Sequence, residues 1–152
     1  MEGEPLVILL VEDNMDHAEL ILRSLKEHRV INNIYHVDDG AKALDYLFRQ
    51  EEYKDPKKSP RPHLILLDLR LPKVDGLEVL QKVKADEILK RIPVVILTTS
   101  DAERDITAAY KKYVNSYLVK PVGFEKFDQL IKDLGFYWLA LNCNPYETKK
   151  NG

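Results

Sequence analysis

The chain has a single cysteine, Cys143, among 152 residues. That excludes an internal disulfide framework and any metal site built from several thiolates, and it suits a reducing, intracellular setting. Long apolar runs are missing too. Leu6 to Val11 is apolar but falls far short of the roughly 18 to 20 residues that span a bilayer. It has an acidic flank and no small-residue cleavage site after it, so it does not read as a signal peptide. The expectation is a cytoplasmic protein with no membrane contact. No charge of one sign dominates either. Lys and Arg total 23 against 25 Asp and Glu, a formal net charge of −2, and the two signs are interleaved along the chain. No overall basic field draws nucleic acid, and no nucleic-acid partner is expected. What the chain does contain is 45% hydrophobic and 32% charged residues, enough for one core under a well-solvated surface.

Four short apolar runs stand out: Leu6 to Val11, His63 to Leu67, Pro93 to Leu97 and Tyr117 to Val119. A weaker one covers Ile34 to Val37. Near-continuous runs of Val, Ile and Leu read as strands buried on both faces, the habit of parallel sheets. Helical spacing fills the intervals. Ala18, Ile21, Leu22 and Leu25 share one face, behind Asn14 or Asp13 as N-cap. Ala43, Leu44, Leu47 and Phe48 form the next stripe, and Leu77, Leu80, Val83 and Lys84 follow Gly76. Further helices are expected after Ser100-Asp101 and after Pro121. Such alternation predicts an α/β fold, a doubly wound five-stranded parallel sheet of flavodoxin-like order 2-1-3-4-5 with helices on both faces. Gln50 to Pro62, polar and proline-rich, reads as a long surface loop.

In such a sheet, ligands gather at the carboxyl ends of the strands, beside the point where strand order reverses. The first run ends in Glu12-Asp13, the third in Asp68, the fourth in Thr98-Thr99 and the fifth in Lys120-Pro121. Three carboxylates, a hydroxyl and an ammonium thus share one rim. Each has a plain alternative. Asp13 could cap a helix, Asp68 could serve the turn before Pro72, Thr98 suits any strand end, and Lys120 could be a solvated lysine. Taken together, however, they form the set that a metal-assisted phosphoryl transfer requires. Adjacent carboxylates repel unless a cation neutralises them, and Mg²⁺ prefers oxygen ligands. An ionised aspartate can then attack phosphorus without a general base.

These residues, with Asp68-Leu69-Arg70-Leu71-Pro72-Lys73-Val74-Asp75-Gly76 matching a D-x-x-x-P-x-x-D-G pattern, resemble the receiver domain of two-component response regulators. The resemblance spans about Leu6 to Gly135. It implies that Asp68 is the phosphoacceptor and that Asp13 and Asp68 ligate Mg²⁺ directly. Glu12 would act through water, Arg70 through its backbone carbonyl, and Lys120 would contact the phosphoryl group beside a cis bond to Pro121. Thr98 and Tyr117 would form the switch. The implied activity is a phospho-switch that assists its own phosphorylation and dephosphorylation, not a metabolic enzyme.

The chain divides into a receiver at 1–135 and a carboxyl-terminal extension at 136–152. In the extension, Phe136 and Leu139 fall outside the apolar face that carries Trp138, unless Gly135 ends the helix and the tail folds back. With the 50–62 loop, this extension is similar to stand-alone regulators associated with phytochrome-like histidine kinases. A sensor histidine kinase is therefore the expected partner, and a homodimer through Phe136, Trp138 and Leu139 is expected. Alternatives stay open: a phosphate sink or relay carrier, a haloacid dehalogenase-like phosphatase, or a flavodoxin-like carrier. The phosphatase needs an aspartate where Arg70 stands, and Glu12-Asp13 would repel a flavin phosphate.

Overall fold

The computed structural model describes residues 6–27, 32–98, 116–120, 125, 126 and 129. Five strands, β1 (Leu6–Val11), β2 (Asn32–Val37), β3 (Leu64–Asp68), β4 (Val94–Thr98) and β5 (Ser116–Val119), form one sheet. All pairs are parallel, in the order β2-β1-β3-β4-β5. Three helices are described: α1 (Met15–Glu27), α2 (Gly40–Leu47) and α3 (Gly76–Ala85). The helix expected after Ser100-Asp101 and the segment from Phe136 onward lie outside the described residues; of the helix expected after Pro121, Glu125, Lys126 and Gln129 are described, and they are helical.

The strands are apolar throughout because the sheet is covered on both sides, and alternation along each strand sorts their side chains into two clusters. Ile8, Leu10, Leu64, Leu66, Val95 and Leu97 meet Ala18, Ile21 and Leu25 of α1. Leu9, Val11, Ile65, Leu67 and Ile96 meet Ala43, Tyr46 and Leu47 of α2 and Val79, Leu80 and Val83 of α3. Helices thus lie on opposite faces, as the alternation of strand and helix predicts.

Two details differ from the sequence expectation, and the odd placing of Lys84 finds its reason. The α2 stripe ends at Leu47, and Phe48 lies more than a third exposed while Tyr46 takes the buried place. The Tyr46 hydroxyl donates to the Pro60 carbonyl at 2.7 Å, and its ring sits against Tyr35 and Tyr53. The 50–62 segment is accordingly more than a surface loop. It contains a 3₁₀ turn at Glu51–Tyr53, and Ser59 is buried with its hydroxyl on the Tyr53 carbonyl. Lys84, placed on an apolar face, is there because its ammonium donates to the carbonyls of Lys90 and Ile92 just before β4. Its stem packs while its head satisfies loop carbonyls.

Candidate phosphoryl and metal site

Register brings the site together. Val11 of β1 pairs with Leu67 of β3, so the next residues on each strand, Glu12 and Asp68, stand side by side. Asp68 pairs with Leu97, and Thr98 with Val119, which sets Lys120 just beyond the end of β5. Continuing the alternation from Ile8 and Leu10 and from Leu64 and Leu66, Glu12 and Asp68 both turn toward the face that α1 covers.

The Asp68 carboxylate is buried and held at both oxygens. Oδ1 accepts from the Arg70 backbone N–H at 3.0 Å, and Oδ2 accepts from Lys120 Nζ at 2.8 Å. Glu12 has no exposed surface. Its Oε2 accepts from the Asn14 N–H at 3.1 Å. Its Oε1 lies 2.6 Å from Lys120 Nζ, yet accepts no well-aligned hydrogen bond. That contact is an ion pair whose acceptor directions remain unfilled. Burial raises the Glu12 carboxyl to about 7, against the opposing pull of Lys120, with Asp68 adding to the rise. Burial alone would lower the Lys120 ammonium, but its hydrogen bond to Asp68 and its close ion pair with Glu12 outweigh that and raise it.

Asp13 is exposed, and one oxygen from each of Glu12, Asp13 and Asp68 lies within 4.8 Å of the others. This donor set, all carboxylate oxygen, suits a hard cation. The buried Glu12 oxygen without an aligned donor and the upward shift of its carboxyl are what a site shaped for one positive charge would show without it.

The segment after Asp68 explains the D-x-x-x-P-x-x-D-G pattern. Lys73 adopts a left-handed φ of 69°, turning the chain back. Asp75 then caps α3, its side chain accepting from Leu77 N at 2.7 Å. Gly76 approaches β3 so closely that a Cβ there would stand 2.3 Å from the Asp68 carbonyl oxygen. Glycine is required by that approach.

Of the expected site residues, Glu12, Asp13, Asp68 and Lys120 are brought together with the Arg70 backbone. Asn14 is the α1 cap, its Oδ1 accepting from His17 N at 3.0 Å. Thr98 ends β4 and Tyr117 lies in β5 opposite Ile96, while their side chains, the Lys120–Pro121 bond, Phe136, Trp138 and Leu139 lie outside the described residues. Two histidines near the site were not expected. His36 Nε2 lies 2.8 Å from the Glu12 carbonyl, and His17 Nδ1 lies 3.2 Å from Lys120 Nζ. Neither carries a sequence pattern that would have singled it out.

Residues 8–132 match the response regulator receiver domain. Among similar proteins, Probable methanogenesis regulatory protein FilR2 of Methanothrix harundinacea (strain 6Ac) is 46% identical over 93% of this chain and 89% of its own. Response regulator Rcp1 of Synechocystis sp. (strain ATCC 27184 / PCC 6803 / Kazusa) is 44% identical over 89% and 90%. Similar solved structures include the bacteriophytochrome response regulator RtBRR, with a TM-score of 0.79 and 47% identity over 87% of this chain and 79% of that one. The phosphorylated cyanobacterial phytochrome response regulator RcpA gives 0.74 and 42% over 91% and 96%. The Mn²⁺-bound form of Rcp1 gives 0.72 and 44% over 89% and 95%.

Proposed function

Because the chain belongs to the response regulator receiver family, we propose that Asp68 is the residue that accepts its phosphoryl group, with Lys120, Glu12 and Asp13 as the working partners. The observation that carries this reading is the Asp68 carboxylate, buried at the sheet's carboxyl edge and bonded to Lys120 at 2.8 Å. Asp68 and Asp13 would hold Mg²⁺ through side chains, Glu12 through water and Arg70 through its carbonyl. When bound, the ion offsets the negative charge that gathers on the phosphoryl oxygens.

The chain's own residues do the rest. An Asp68 oxygen attacks phosphorus as the bond from phosphorus to the donor nitrogen or oxygen breaks, giving an acyl phosphate on Asp68 and a free leaving group. The Arg70 N–H orients the carboxylate. Lys120 faces the developing charge and needs no proton transfer. Thr98 and Tyr117 are the proposed switch residues, reading the modified state. Activity of this kind ends with the protein's own phosphoryl group, so no metabolic turnover is proposed.

A sensor histidine kinase is the proposed donor. The similarity to RtBRR and RcpA, a bacteriophytochrome and a phytochrome response regulator by name, supports one of the phytochrome type. The extension at 136–152 is the proposed homodimer contact, through Phe136, Trp138 and Leu139, outside a receiver spanning 1–135. Among the described residues no helix is long and apolar enough to cross a membrane, and a cytoplasmic location is proposed.

Incubation with acetyl phosphate and Mg²⁺ tests the central step by intact mass. The native chain should gain one phosphoryl group and Asp68→Asn none. A variant that still gains it would refute the assignment.

A further inference from the structure

An ammonium has three N–H donors and no lone pair. Two neighbours of Lys120 Nζ are carboxylates, Asp68 Oδ2 at 2.8 Å and Glu12 Oε1 at 2.6 Å. The third is not an acid. His17 Nδ1 lies 3.2 Å away, and since the ammonium only donates, this ring nitrogen must accept. The contact uses the ring tautomer that carries its proton on Nε2.

We propose that His17 is a positioning residue that anchors the Lys120 ammonium over Asp68, an inference that rests on Asp68 being the phosphoacceptor. A lysine head on four flexible carbons is poorly fixed by two acids on one side. His17 supplies the third point from α1, an element 103 residues distant in sequence. The helix start fixes the imidazole in turn, because the His17 N–H donates to the Asn14 cap and the neighbouring Ala18 is buried against the sheet. The choice of an imidazole acceptor has a chemical reason. A third carboxylate would repel the anionic phosphoryl group on arrival, and a cation would repel the ammonium. Imidazole does neither. When phosphorylation takes Asp68 away as a plain carboxylate, Lys120 keeps its hold on His17 and turns an N–H to the new oxygen without losing its place.

The test is the rate of phosphorylation by acetyl phosphate with Mg²⁺, followed by intact mass over a range of donor concentrations. His17→Ala should lower the maximal rate roughly tenfold, the worth of one hydrogen bond to a charged group, and leave the half-saturating donor concentration nearly unchanged. His17→Asn, whose Oδ1 occupies the place of Nδ1, should restore most of the rate. In a Lys120→Ala background, His17→Ala should add no further loss. A native rate in His17→Ala, an equal loss in both backgrounds, or an Asn variant as slow as the Ala variant would each overturn the role of His17. Asp68→Asn tests the underlying reading separately: a phosphoryl group accepted there overturns the choice of acceptor, whatever His17 does.

Discussion

A carboxyl as buried as Glu12 must be discharged by a proton or by a neighbouring cation. Its ordinary value of 4.5 rises to about 7, so between those values the folded chain keeps a proton that the unfolded chain has released. In chelator, this group's contribution to stability is full below pH 4.5, falls as pH rises toward about 7, and is lost above it. Glu12→Gln keeps the shape without the ionisation. Thermal midpoints of the variant should lose that part of the slope and exceed those of the native chain above pH 7. Mg²⁺ should reverse the order by raising the native midpoint more. Equal slopes in both proteins would contradict this account of Glu12. The residue types at the site were legible from the sequence because each closes an apolar run. His17 and His36 were not, since a lone histidine on a helix or an edge strand carries no pattern of its own.

At the level of elements, two loops at the site end of the sheet are fastened together. Gly40, the first residue of α2, donates its N–H to the Pro72 carbonyl at 3.4 Å, and Asp39 faces Lys73 across 3.8 Å. A Cβ on Gly40 would stand 1.7 Å from the Val74 carbonyl oxygen. Gly40→Ala must therefore push the loop that follows Asp68 away from α2, and should cost about 1–3 kcal/mol in urea unfolding. Tyr46→Phe, which strands the Pro60 carbonyl, should cost about 1–2 kcal/mol and leave phosphorylation at Asp68 unchanged. The strands were legible because burial on both faces demands unbroken apolar runs. The order of the 50–62 segment was not, because it rests on a tyrosine hydroxyl and a serine hydroxyl reaching backbone carbonyls, and any sequence supplies carbonyls.

For the whole molecule, strand order follows from the alternation of elements and the right hand of their crossovers, and the sheet β2-β1-β3-β4-β5 is the one expected. The proposed homodimer belongs to this scale. Light scattering should give twice the chain mass for the native protein and the chain mass for a Phe136→Ser, Leu139→Ser double variant. A native monomer, with and without phosphorylation, would remove the extension from the proposed interface. The most direct test of the central claim is to locate the phosphoryl group itself. After acetyl phosphate treatment, borohydride reduction of the acyl phosphate and peptide mass spectrometry should mark Asp68 alone, in Mg²⁺ and not in chelator. A mark on another residue, or one indifferent to chelator, would contradict the account.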